Sequence, residues 1–119
     1  MAASPPELPP QVQNQLLKLQ ELQRQGQMLA AQRQQLDMTA RETTKTLEEI
    51  GKLEAGATVY RSSGALLMRV KDLAAVKSEL DEVKESAEVR LAKVKKEEER
   101  LKERLLSLQK ELQAVLGGP

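Results

Sequence analysis

The feature that most restricts the fold of this chain is an apolar residue at every seventh position of its C-terminal half. The row comprises Leu73, Leu80, Ala87, Val94, Leu101, Leu108 and Val115. A seven-residue repeat places one side chain every two turns on the same stripe of an α-helix, which is typical of helices that pack along a narrow seam. The pattern predicts one helix over residues 72–116, with Asp72 as its N-cap and a short tail over 117–119.

A second, less regular seam occupies the N-terminal half of the chain. After a flexible tail over residues 1–9, the fixed φ of Pro10 suits the first turn of a helix, which we predict over 10–55. Gly56 is expected to end that helix, because glycine readily takes the left-handed conformation. Two heptad rows run along this helix. The first comprises Val12, Leu19, Gly26, Arg33, Ala40 and Leu47. The second comprises Gln15, Leu22, Leu29, Leu36, Thr43 and Ile50.

Two helices of about 45 residues, each roughly 65 to 70 Å long, are joined by a short connector, and this predicts an antiparallel pair. In the simplest register the level pairs are Leu47 with Leu80, Ala40 with Ala87, Gly26 with Leu101, and Val12 with Val115. The small side chains of Ala40 and Ala87 would let the two backbones approach closely. A bulky replacement such as Ala40→Phe is therefore expected to separate or destabilise the pair.

Composition excludes most other classes of protein. Only 1% of the 119 residues are aromatic and none is cysteine or histidine, so disulfides, thiolate nucleophiles and the usual zinc sites are excluded. We predict no enzymatic activity and no cofactor or metal. The net charge of +1 disfavours nucleic-acid binding. Without a signal-like N-terminus or a long apolar run, the chain is expected to be cytoplasmic and free of the membrane.

The connector, VYRSSGALLMRV over residues 59–70, follows a different pattern from the helices. Apolar and β-branched residues flank Ser62-Ser63-Gly64, which predicts a β-hairpin within 57–71, with strands over 58–61 and 65–70. A two-stranded hairpin alone is marginal in water, and its free edges recruit other strands. We therefore expect it to pair with hairpins of other chains in a sheet or barrel. The alternative is a loop packed on the ends of its own helices.

Three segments give the chain its resemblance to a known family. They are LPPQVQNQLLKLQELQRQ over 8–25, the VYRSSGALLMRV hairpin, and the heptad-bearing helix up to Leu116. Together they resemble the β subunits of prefoldin, and the archaeal members more than the eukaryotic ones. A single hairpin is the mark of the β type in that family, since the α type has two.

The resemblance implies a fold dominated by α-helices, in which a long antiparallel two-helix coiled coil is joined by a single β-hairpin. It implies a hexamer of two α-type and four β-type subunits, whose hairpins join into intersubunit β-barrels. Such a complex is an ATP-independent co-chaperone that holds unfolded polypeptides with the apolar tips of its arms and passes them to a group II chaperonin. Carried over by position, the oligomerisation residues are Val59, Tyr60, Leu66, Leu67, Met68 and Val70.

Leucines near the free ends of both helices exceed what one seam can hold. Adjacent residues on a helix point about 100° apart, so Leu16 and Leu17 cannot share a narrow stripe, nor can Leu105 and Leu106. Exposed apolar surface of this kind is a candidate contact for unfolded chains. The predicted client-binding residues are Val12, Leu16, Leu17, Leu106, Leu112, Val115 and Leu116.

Two alternatives compete with the interpretation as a chaperone. The leucines at the helix ends could simply close the coiled coil against fraying. The whole chain could also be a structural or adaptor coiled coil that recruits specific partners and holds no unfolded client.

Overall fold

The chain forms two long helices separated by one β-hairpin, as seen in a computed structural model that describes residues 8–117. The elements in order are α1 (Pro10–Gly51), β1 (Tyr60–Ser63), β2 (Leu66–Arg69) and α2 (Leu73–Leu116). The predicted class of fold is confirmed. Residues 1–7 and 118–119, which make up most of the two predicted tails, lie outside the described part. Over residues 8–117, neither helix has a stretch long and apolar enough to cross a membrane.

Helix α1 begins at Pro10, as the proline predicts, but it ends at Gly51 and not at 55. Glycine is the weakest helix former apart from proline, and the next amide, that of Lys52, is shared between the carbonyls of Glu48 and Glu49 at 3.2 Å each. Gly56 does have a left-handed φ of 84°. It serves a separate turn, which the Ala57 amide closes by donating to the Glu54 carbonyl at 3.1 Å.

Helix α2 begins where its capping residue predicts. The Asp72 carboxylate accepts a hydrogen bond from the backbone amide of Ala75 at 3.2 Å. That amide is one of the first four of the helix, which have no carbonyl partner within it. Asp72 is therefore the N-cap, and α2 follows it directly.

The chain divides into two compact units, and in each of them an α1 segment lies antiparallel to an α2 segment. Unit 1 contains residues 8–32 and 94–117 of the described part, and unit 2 is Arg33–Lys93, which includes the hairpin. The buried residues of unit 1 are Val12, Val94, Leu101, Leu108 and Leu112, and those of unit 2 are Ala40, Thr43, Ile50 and Ala87. All but Leu112 belong to the heptad rows, so the rows correctly predict where the seams lie.

The register of unit 1 agrees with the prediction in its middle and departs from it towards the helix ends. A Cβ atom added to Gly26 would lie 3.2 Å from Cδ2 of Leu101, so these two residues are level. Val12, however, packs with Leu108 and Leu112, whereas Val115 is 53% exposed. A strict seven-residue row drifts by about 20° per heptad on a straight helix, which carries Val115 off the seam.

Candidate interaction surfaces

The hairpin is a two-stranded antiparallel sheet with a tight turn. Its paired residues are Tyr60 with Arg69, Arg61 with Met68, Ser62 with Leu67, and Ser63 with Leu66. The Val70 amide donates to the Val59 carbonyl at 2.8 Å and extends the pairing by one step. The backbone pairing of the hairpin therefore extends from the turn to Val59 and Val70.

The turn comprises Gly64 and Ala65, whereas the sequence predicted Ser62-Ser63-Gly64. Gly64 has a φ of 59°, and no residue other than glycine in the described part has a positive φ. A positive φ at the first central position only is typical of the type II′ turn, whose twist matches that of the two strands. Ser62 and Ser63 consequently belong to β1.

The side chains of the hairpin are exposed on both of its faces. Of the six predicted oligomerisation residues, Val59 and Val70 are half-buried at the base of the hairpin. The other four are exposed, namely Tyr60 at 60%, Leu66 at 67%, Leu67 at 75% and Met68 at 52%. The connector is therefore not a loop packed on its own helix ends, and its apolar side chains are available to another chain.

One charged contact joins the hairpin to α2 within unit 2. Arg61 Nη1 donates to Glu79 Oε2 at 3.4 Å, and both side chains are more than half exposed. The two residues lie 18 positions apart, and no sequence pattern linked them.

Unit 1 contains a small apolar core between the two helices. Val12, Leu108 and Leu112 form its buried centre, and Leu16, Leu19 and Leu22 pack against it. Beside this core, Gln15 Nε2 donates to Glu111 Oε2 at 3.3 Å and links the helices a second time.

Three of the predicted client-binding residues belong to this core. Val12 is 2% and Leu112 6% exposed, and Leu16 is half-buried, because all three side chains point into the seam. Val12 and Leu112 therefore offer little surface to a client and Leu16 offers part of its side chain, and client binding at these three positions stays a prediction. The other four are exposed, namely Leu17, Leu106, Val115 and Leu116. We name these four side chains the tip surface.

Two exposed apolar residues of unit 1 were not predicted. Leu8 precedes the first helix and Met28 stands off both heptad rows, and they are 41% and 52% exposed. Met28 could have been identified from its place outside the rows, because an apolar residue there has no seam to enter.

A shallow groove of about 380 Å³ runs between the helices of unit 1. Leu22 and Leu108 contribute apolar side chains to it, and the other lining residues are Lys18, Glu21, Arg104, Ser107 and Glu111. Arg24 holds Glu21 at 2.6 Å, and this hydrogen bond lowers the pKa of the Glu21 carboxyl and raises that of Arg24. The hydrogen bond to Arg24 therefore favours the charged form of Glu21 at the rim of the groove. Among residues 8–117, no three acidic side chains are placed to hold a metal ion.

Comparison with known proteins agrees with this arrangement of helices and hairpin. The family model described as prefoldin subunit matches residues 13–118. The chain belongs to the prefoldin subunit family. It is 40% identical to the prefoldin subunit beta of Methanosarcina acetivorans over 93% of this chain and 94% of the relative. It is 41% identical to that of Archaeoglobus fulgidus over 93% of this chain and 95% of the relative.

A solved structure of a prefoldin beta subunit shares the fold. The crystal structure of this subunit from Thermococcus strain KS-1 matches with a TM-score of 0.80 and 34% sequence identity. The match covers 95% of this chain and 98% of the other. The resemblance to prefoldin β subunits of the archaeal type is thereby confirmed.

Proposed function

We propose that this chain is a subunit of an ATP-independent co-chaperone that holds unfolded polypeptides and passes them to a group II chaperonin in the cytoplasm. Membership of the prefoldin family supports the co-chaperone role, since prefoldin subunits are chaperones and not enzymes. The observation that carries client holding is the tip surface, whose four large apolar side chains are each at least 50% exposed. Apolar surface is what an unfolded chain also exposes, and burying the two together is favourable.

The proposed complex is a hexamer of two α-type and four β-type prefoldin subunits, assembled through the hairpins into β-barrels. The exposed hairpin supports this. Its two edges are open among the described residues, and two strands alone are at best marginally stable in water. Pairing with further strands would complete the backbone hydrogen bonds and bury Tyr60 and Leu67.

Client holding is tested by removing the tip surface without disturbing the seam. The variant replaces Leu17, Leu106, Val115 and Leu116 by serine and keeps the buried Val12 and Leu108. Each protein is assembled with an α-type prefoldin subunit, and light scattering is recorded while a denatured client is diluted into buffer without ATP. We expect the wild-type complex to suppress aggregation and the variant to lose most of that effect, because a fully buried leucine contributes about 1.5–3 kcal/mol.

Met38 and Val89 provide the control. They are 54% and 65% exposed in unit 2, so their replacement by serine removes two exposed apolar side chains from the other unit, against four in the tip variant. This control variant is expected to hold clients like the wild type. A tip variant that assembles and still suppresses aggregation fully would contradict the proposal. A wild-type complex that holds no denatured client would favour the adaptor function instead.

The transfer to a chaperonin is tested by co-sedimentation. The assembled complex is mixed with a group II chaperonin without ATP, and a complex of the two is expected. Labelled client bound to the prefoldin complex should then move to the chaperonin fraction.

A further inference from the structure

The two faces of the hairpin carry different residues. In an antiparallel pair, residues directly opposite each other lie on the same face. The register therefore places Arg61, Ser63, Leu66 and Met68 on one face, and Tyr60, Ser62, Leu67 and Arg69 on the other. We name these the Arg61 face and the Leu67 face.

The Arg61 face contacts the chain's own helix through Arg61, whereas Leu66 on the same face, next to the turn, is 67% exposed. Arg61 reaches Glu79, a residue of the second turn of α2, at 3.4 Å. Met68, which is paired with Arg61, is the least exposed of the four large apolar side chains of the hairpin, at 52%. Leu67, on the opposite face, is 75% exposed, the highest value among the large apolar side chains of residues 8–117.

We propose that the Arg61–Glu79 ion pair is a positioning contact that presents the Leu67 face to the hairpins of neighbouring subunits. The proposal rests on the proposed assembly through hairpins. Its partner is a second β-hairpin with an apolar face, since Leu67 and Tyr60 supply large apolar contacts on this side. Arg69 is paired with Tyr60 at the base of the hairpin, where its aliphatic stem can be buried while the guanidinium stays in water.

The adjacent residues Leu66 and Leu67 allow a matched test of which face of the hairpin contacts neighbouring subunits. Leu66 and Leu67 are neighbours of similar exposure on opposite faces, so Leu66→Ser and Leu67→Ser remove equal apolar volume in two directions. Each variant is mixed with an α-type prefoldin subunit, and native mass spectrometry follows assembly over a dilution series. Both leucines were predicted to take part in oligomerisation, so both variants should weaken assembly. We expect Leu67→Ser to raise the concentration needed for half-assembly at least about tenfold, and Leu66→Ser to raise it by a smaller factor.

Two results of this experiment would contradict a proposal. A loss of assembly in Leu66→Ser as large as in Leu67→Ser, or larger, would overturn the assignment of the face. A wild-type chain that fails to assemble would overturn the proposed hairpin-mediated assembly itself. Circular dichroism of each free variant is expected to show unchanged helix content, which separates assembly from folding.

The ion pair is tested by Glu79→Gln, which keeps the shape of the side chain and removes its charge. An exposed ion pair has a small effect, so assembly is expected to weaken about two- to fivefold at low salt. The difference from wild type should disappear at about 1 M salt, where charges are screened within about 3 Å. Reversing both charges, with Arg61→Glu and Glu79→Arg together, is expected to restore assembly.

Glu82→Gln is the control for the ion pair. Glu82 is an exposed acid one turn further along α2, so its replacement makes the same change of net charge without touching Arg61. If Glu79→Gln assembles no more weakly than Glu82→Gln, or if the reversed pair fails to restore assembly, the positioning role is wrong.

Discussion

At the scale of single residues, Gly26 shows how one position sets the spacing of the helices. It stands in the heptad row where Leu19 stands one repeat earlier, and Leu101 of α2 fills the space that its missing side chain leaves. Leu101 is only 6% exposed, so it has little room to move away. The glycine is therefore needed for close packing, although glycine weakens a helix by about 1 kcal/mol relative to alanine.

We predict that Gly26→Leu destabilises the chain. The added side chain gains helix propensity, but it must displace Leu101, and overpacking of this kind costs about 1–3 kcal/mol. The free energy of unfolding, measured by urea denaturation, should fall by up to roughly 2 kcal/mol, which is the overpacking cost less the gain in helix propensity. Gly51→Leu is the control, because a Cβ atom at Gly51 would meet nothing within 4 Å. Equal stability of the two variants would show that Gly26 is not required for the seam.

Residue patterns predicted the seams better than the surfaces. The heptad rows locate nearly all buried positions, because burial in a two-helix pair depends mainly on the period of the helix. They include Val115, which is exposed, and omit Leu112, which is buried, because a seven-residue row drifts gradually around a straight helix. The Arg61–Glu79 contact depends on the orientation of the hairpin, and local sequence does not contain that information.

At the scale of elements, the middle of α1 combines small and polar residues in its seam. Thr43 is 7% exposed, and its hydroxyl donates to the Thr39 carbonyl of the same helix at 2.6 Å. Thr39, Thr44 and Thr46 bond back to carbonyls four residues earlier in the same way. The buried hydroxyl is thus satisfied without a partner on α2, and the seam here can stay narrow.

The narrow seam gives the prediction for Ala40→Phe a structural basis. Ala40 and Ala87 are 9% and 4% exposed in unit 2, so a phenyl ring at position 40 would be forced into a seam that holds two small side chains. We expect a loss of about 1–3 kcal/mol. In thermal unfolding followed by circular dichroism, this corresponds to a fall in Tm of several degrees.

Ala31→Phe is the control for Ala40→Phe, because it measures the loss of stability that is independent of packing between the helices. Ala31 is exposed on the same helix, so its replacement carries only the lower helix propensity of phenylalanine, about 0.5 kcal/mol. A fall in Tm no larger for Ala40→Phe than for Ala31→Phe would mean that the helices are not closely packed at this level.

The sequence predicted the start of α2 correctly and the end of α1 incorrectly. Asp72 located the start of α2, because a capping carboxylate acts on amides only three residues away. Gly56 did not locate the end of α1, since a left-handed glycine also suits a turn outside any helix. The hairpin was predicted as an element, but its turn was misplaced because both Ser-Gly and Gly-Ala are acceptable turn sequences.

At the scale of the whole molecule, the two compact units contain different kinds of surface. Unit 1 has its own apolar core and the tip surface, and unit 2 has its own seam and the hairpin. Leu108 belongs to the buried core of unit 1, and Leu67 is an exposed residue of the hairpin in unit 2. Under the proposed function, the stability of unit 1 and the assembly of subunits should therefore respond to different substitutions.

Leu108→Ala and Leu67→Ser test this separation together. Removing a buried leucine costs about 2–5 kcal/mol, so Leu108→Ala should lower the Tm of the free chain. At low temperature the variant should still form a complex with an α-type subunit, with the same number of subunits as the wild type. Leu67→Ser should do the reverse, because its side chain is 75% exposed in the free chain and contributes little there. Effects at independent sites add within about 0.5 kcal/mol, so the double variant should show both losses at their single-variant size. If Leu108→Ala alone prevents the complex from forming, assembly needs the core of unit 1 as well as the hairpin.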